Sequence, residues 1–103
     1  MIERHWKGTT HGHEAQHYVT HLLNDTFPKL QSIAGFKGSS ILKRRVAEGV
    51  EFLIITRWES LEAIRQFAGE SMTTAVVPDV ARKMMHHYDA EAVHFEVEYA
   101  VDV

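Results

Sequence analysis

The run Glu51-Phe52-Leu53-Ile54-Ile55-Thr56-Arg57-Trp58 places the tightest limit on the fold. Its middle is continuously apolar, with a turn signal, Ala47-Glu48-Gly49, before it and a helix-capping Ser60 after it. A strand with one face in water alternates apolar and polar residues, whereas a continuous apolar run marks a central strand covered on both faces. A chain of 103 residues reads as one domain, residues 1–103, and buries a limited share of its surface. Covering both faces of a sheet from so short a chain calls for help from a second copy.

The periodicities on either side of this run supply the other elements. Ile2 to Lys7 reads as a first strand ended by Gly8. From His13 to Thr26, Ala15, Tyr18, Val19, Leu22 and Leu23 recur at spacings of three and four, which gives a helix one apolar face. Pro28 predicts a break or kink at Phe27, because proline lacks an N–H and disfavours helical geometry just before it. A last turn then stops at Gly35, and Phe36 to Val46 follows as a second strand. After Ser60, Leu61, Ile64, Phe67 and Ala68 form the apolar face of a helix that Gly69 ends. Pro78 opens a short helix through Met84 and Met85. Ala92 to Val101 alternates strictly, Val93, Phe95, Val97, Tyr99 and Val101 against His94, Glu96 and Glu98, as a strand does. The order β-α-β-β-α-β, with an extra helical piece, predicts an α+β domain of ferredoxin-like type with a four-stranded antiparallel sheet. Helices cover one face of such a sheet, and with no repeat or linker in the chain, a homodimer is the expected cover for the other.

Composition narrows the chemistry. A formal charge of −3 lacks the basic excess of a nucleic-acid surface. The absence of cysteine excludes disulfides, thiolate catalysis and Cys-bound metals, and fits a cytoplasmic location. The N-terminus has no apolar signal core, and no apolar run is long enough to span a bilayer. No Gly-rich phosphate loop, nucleophile elbow or HExxH motif is present.

Several stretches resemble the antibiotic-biosynthesis-monooxygenase (ABM-like) family. The segment EFLIITRWESLEAIRQFAGE, residues 51–70, is similar to the family's strand ending in Trp and its WES-x-EAI-x-x-FAG helix. AVVPDVARKMMHHYDAEAVHFEVEY, residues 75–99, resembles its proline-started segment and closing strand. RHWKG, residues 4–8, resembles its first strand, and FPKLQSIAGFKGSSILKR its helix end and second strand. The resemblance implies a dimeric α/β barrel, in which two sheets pack face to face around enclosed cavities. Family members include oxygenases of aromatic phenols and quinols that need no cofactor, and heme-degrading monooxygenases. Catalytic members use an Asn, a Trp and a His or Tyr. Trp58 matches the Trp, but the first strand offers Arg4, His5 and Trp6 without an Asn, and the helix 61–68 supplies neither His nor Tyr.

The candidate residues each carry a functional and a structural reading. Trp58 is either a stacking wall for a flat substrate or a core tryptophan. His94, near neutrality in pKa, is the candidate general base, with Glu96 to orient it or to pair with Arg4 or Arg57. This requires Val93 and Phe95 to pack on the helices, so that His94 and Glu96 point into the barrel; the opposite facing is equally compatible with the alternation. Arg4 and Trp6 offer a cation and a stacking surface to an anionic aromatic, or else an ion-pair partner and packing. Among eight histidines, His13, His17 and His21 step by four along one helix face, opposite the apolar one. Imidazoles so spaced bind Zn²⁺ or Ni²⁺ adventitiously, but a solvated face lacks the shielding of a metal centre. The function expected is a monooxygenase-like protein acting on a small hydrophobic aromatic, with no cofactor and no resident metal. The alternatives are a non-catalytic ligand-binding or stress-related barrel module and a heme-binding protein.

Overall fold

A computed structural model describes residues 1–103. Its sheet is organised around β1 (Ile2–Thr10), both of whose edges are occupied. On one side β1 pairs antiparallel with β3 (Gly49–Trp58) along its whole length, from Ile2 opposite Trp58 to Thr10 opposite Val50. β2 (Phe36–Val46) pairs with the far edge of β3, joined to it by the turn at Ala47 and Glu48. On its other side β1 meets two short strands laid end to end. β4 (Met85–Tyr88) pairs with Gly8 to Thr10, and β5 (Val93–Glu96) with Ile2 to His5. The α+β class and the antiparallel sheet match the expectation; the fourth strand position is divided between β4 and β5.

That division corrects two details. The expected helix through Met84 and Met85 ends at Arg82, as α4 (Asp79–Arg82), and Met85 to Tyr88 is a strand. Four residues are too few for a visible alternation, and what recruits them is the free edge of β1 beyond the reach of β5. The last strand is also shorter than its alternating pattern. Val97 N–H donates to the Met1 carbonyl (2.9 Å), and there β1 runs out. Val97, Tyr99 and Val101 therefore continue the pattern without a strand to pair with. β1 itself runs through Gly8 rather than ending there. A Cβ at Gly8 would lie 2.6 Å from the Trp6 ring, so only glycine lets that indole fold over the strand.

The helical layer begins with a 3₁₀ turn at Gly12–Glu14 and continues as α1 (Ala15–His21), a π turn over Leu22–Thr26 and α2 (Phe27–Leu30). Pro28 does not break this rod. Phe27 N–H reaches back five residues to the Leu22 carbonyl, so the turn before the proline is a widened π turn and the rod continues through it. α3 (Leu61–Ala68) follows expectation, with the Ser60 hydroxyl accepting from Ala63 N–H at 3.2 Å and Gly69 at its end. Gly35, at a φ of +93°, closes the first rod against α3, where a Cβ would sit 2.7 Å from that of Ala63.

The core lies between the helices and one face of the sheet. Along β3, Val50, Phe52, Ile54, Thr56 and Trp58 are buried, while Glu51, Leu53, Ile55 and Arg57 on the other face are only half-buried. Within one chain, then, β3 is covered on one face, not two. Trp58 is wholly buried, between Phe36 (ring centroids 5.2 Å apart) and Phe67 (5.9 Å), and its Nε1–H donates to Thr56 Oγ1 at 2.8 Å. Replacing Trp58 with Ala removes this ring stack and leaves a cavity, with an expected loss of about 3–5 kcal/mol in urea unfolding. A loss below about 1 kcal/mol would contradict this account of the core.

Candidate functional site

Cross-strand neighbours share a face of a sheet, so register decides which side chains meet the helices. Ile2, Arg4, Trp6 and Gly8 face the same way as Trp58, Thr56, Ile54 and Phe52 opposite them. Through the pairs Ile2–Glu96 and Arg4–His94, the β5 side chains Glu96 and His94 join this helix side. Of the two facings that the alternation left open, the last strand takes the one opposite to that required for His94 to point into the barrel. Val93 and Phe95 are 54% and 53% exposed on the open face, and His94 turns toward the helices. The strand follows its register with β1, in which Arg4, itself buried, lies opposite His94.

Between the sheet and the helical layer lies a cavity of about 70 Å³. The sheet contributes Arg4, Trp6, Ile54 and Thr56 to its wall. Tyr18 and Phe27 come from the helical rod, Phe67 from α3, and Val76 and Val77 from the segment before α4. His21 at the end of α1, and Leu22 and Thr26 of the π turn, line it, so the widened turn before Pro28 borders one side of the cavity. Trp6 is fixed by its Nε1–H bond to the Asp89 carbonyl (2.8 Å). Burial raises the Tyr18 phenol well above its ordinary pKa, so it remains a neutral hydroxyl.

Arg4 is the only charged residue in the cavity wall, and it is 4% exposed. Its guanidinium donates to the carbonyls of Met72 and Thr74 (3.0 Å to the latter) and to His94 Nε2 at 2.8 Å, and it lies 5.7 Å from the Phe67 ring centre. A guanidinium has no lone pair, so His94 Nε2 must be the acceptor, which makes His94 a neutral imidazole protonated on Nδ1. Burial, and then the positive charge of Arg4, both lower the His94 pKa and hold it in that form.

This geometry redistributes the candidate roles. Arg4 and Trp6 do meet at one cavity. Trp58 lies one ring behind it, stacked on Phe67, and supports the wall without lining it. His94 is also outside the wall, with its Nε2 lone pair taken by Arg4; the expectation that it offers a free base is corrected. Glu96 is exposed and pairs with neither Arg4 nor Arg57, which bonds instead to Ser40 and the Ser39 carbonyl. The histidine row does not stay on one solvated face. His13 and His17 are exposed, while His21 turns to the cavity, 3.3 Å from Thr26 Oγ1. No three His, Asp or Glu side chains in the chain converge on a common metal position. Tyr18 and Phe67 were not singled out as site residues from sequence, and His21 only as one of a row of histidines read onto the solvated face. Tyr18 and Phe67 carried only the signal of an apolar helix face, which a core residue carries equally.

No protein-family model matches the chain, and no curated protein matches it. Solved structures do. An antibiotic biosynthesis monooxygenase assigned in Bacillus cereus aligns with a TM-score of 0.70 at 18% identity, over 100% of this chain and 96% of that one. The heme degrader MhuD from Mycobacterium tuberculosis, with two hemes bound in its active site, aligns with a TM-score of 0.63 at 17% identity, over 99% and 100%. The ActVA-Orf6 monooxygenase of Streptomyces coelicolor, in complex with nanaomycin D, aligns with a TM-score of 0.63 at 17% identity, over 99% and 91%. At these identities the likeness establishes the fold, which is consistent with the ABM-like resemblance of the sequence. It also corrects the expectation of no cofactor, since MhuD structures hold heme or manganese protoporphyrin IX in this fold. In this chain His21 puts an imidazole in the wall, the type of side chain that ligates heme iron. The volume of about 70 Å³ does not fit a porphyrin macrocycle.

The Arg4–His94 bond has a pH signature. In the unfolded chain His94 takes a proton near its ordinary pKa of about 6.5, while in the fold it resists protonation to lower pH. Below about pH 6.5 the unfolded state then binds more protons, so this contribution to stability is lost as pH falls, by at most about 1.4 kcal/mol per pH unit. Urea unfolding between pH 7.5 and 5.5 should therefore show a shallower pH slope in His94→Gln, whose side-chain oxygen can still accept from Arg4, than in wild type. Equal slopes would remove His94 from this role.

Proposed function

We propose that residues 1–103 form one cytoplasmic, homodimeric, monooxygenase-like domain that takes a small phenol- or quinol-like aromatic into the helix-side cavity. One observation carries the reading: a cavity with an aromatic and aliphatic wall, bearing a single buried cation. Trp6 and Phe67 suit the faces of a flat ring, and Arg4 favours the deprotonated form of a phenol or quinol beside it. That anion is the electron-rich form that reacts with O₂. His21, at the wall with Thr26 beside it, is the histidine placed to take the proton. Saturable binding of a phenol and quinol panel, with O₂ uptake reduced at least tenfold in His21→Ala, is the expected result. The engagement of His94 by Arg4 favours a second reading, a non-catalytic binding module, and binding without O₂ uptake in any member of the panel would select it.

The homodimer rests on the open face of the sheet. Leu42, Val93 and Phe95 are 46%, 54% and 53% exposed there, beside the half-buried Leu53 and Ile55. Glu3, Lys7, Arg44 and Glu51 give the same face charges of both signs, which a two-fold axis can pair with their opposites. A second copy laid on this face buries the apolar strip of each. Light scattering should give twice the chain mass for wild type and the single chain mass for Phe95→Glu with its circular dichroism unchanged. A monomeric wild type would sink the dimer.

A further inference from the structure

We infer that the ligand of the cavity carries a carboxylate on a single aromatic ring, and that Arg4 is its receptor. The inference rests on the cavity reading above and narrows it to a class of ligand.

The first ground is a missing counter-charge. Arg4 is buried, yet none of the chain's ion pairs includes it, and no Asp or Glu lines the cavity. Burying a cation is costly unless it is paired and hydrogen-bonded. The acid nearest in sequence to its partner, Glu96, shares the same face of β5 but stays exposed and does not reach it.

The second ground is a partly used donor set. Of the five N–H bonds of a guanidinium, three have acceptors here: the Met72 carbonyl, the Thr74 carbonyl and His94 Nε2. Two remain without a partner in the chain. Had His94 been a carboxylate, it would have quenched the charge. As a neutral acceptor it orients the group and leaves the full positive charge beside the cavity. A carboxylate supplies both a negative charge and acceptors for the two remaining donors, and arginine binds that group in two-pronged fashion.

The third ground is shape. Phe67 stands 5.7 Å from the guanidinium carbon, and the Trp6 indole is pinned by Asp89 and folded over Gly8. The rest of the lining is mostly apolar, with Trp6, Tyr18, Phe27 and Phe67 supplying ring surfaces. An aromatic carboxylate fills both parts of this space, the ring among the aromatic walls and the acid at Arg4. The competing account makes Arg4 only a staple that ties the segment around Met72 and Thr74 to the sheet.

Benzoate and benzamide separate these accounts, being alike in shape and different in charge. Titrated calorimetrically into the full chain, benzoate should bind at least tenfold more tightly than benzamide. The preference should vanish in Arg4→Gln and survive in part in Arg4→Lys, which keeps the charge should Arg4→Gln not fold. Equal affinities in wild type would overturn the carboxylate inference and leave the aromatic cavity standing. A preference for benzoate that persists in folded Arg4→Gln would place the anion elsewhere and overturn it too. Saturable binding of neither compound would overturn both this inference and the cavity reading beneath it.

Discussion

The unbroken pairing of β1 with β3 is the constraint on which the remainder of the molecule depends. It runs from Ile2–Trp58 to Thr10–Val50, and a slip of one residue would send every side chain of β1 to the opposite face. The register is specified by burial, since Trp58, Phe52 and Ile54 must all reach the helices. Once it is set, Arg4 and Trp6 are carried to the same side. β5 then inherits its facing from β1, and His94 comes to lie beside Arg4. The site is thus a consequence of strand register more than of any local motif.

Placing an arginine in that layer creates an electrostatic problem that the fold solves only in part. Two backbone carbonyls and an imidazole lone pair satisfy the geometry of the guanidinium without neutralising it. A hydrophobic residue of similar size would often serve stability as well or better at a buried position. Retaining a charge there, at the edge of an aromatic cavity, is a local inconsistency with the apolar core around it. His94 Nε2 accepts from Arg4, and burial together with that positive charge favours its neutral form.

The two faces of the sheet have different fates. The helix side is closed by one chain, and a widened helical turn at Leu22–Thr26 leaves room for the cavity within it. The open side keeps an apolar strip of Leu42, Val93 and Phe95 in solvent, and beyond it Tyr99 and Val101 continue a strand pattern that has nothing to pair with. The open apolar strip has a simple physical origin: β3 is apolar on both faces, and this chain has helices for only one of them.

Much of this was legible in the sequence, and the division is instructive. Local signals held wherever the deciding physics is local. The Ser60 cap, the Gly69 stop, the strand 36–46 and the apolar centre of β3 each depend on a few neighbouring residues. Arg4 and Trp6 were visible as a pair because their spacing of two puts them on one face of any strand. What sequence left open was everything decided by a partner distant in the chain. The facing of His94 depends on Arg4, ninety residues away; alternation gives two faces but not which is inner. Met85 to Tyr88 became a strand because the edge of β1 was free there, and Pro28 was absorbed by a π turn instead of breaking the rod. Tyr18 and Phe67 lie on helix faces whose periodicity reports burial, and periodicity cannot separate a side chain that fills a core from one that borders a cavity; His21 was read onto the solvated face, and only the packing of the rod on the sheet turns it inward. The sequence by itself determined most of the elements and the two-faced sheet. Only tertiary structure decided which charges share a wall, because that depends on register between strands from opposite ends of the chain.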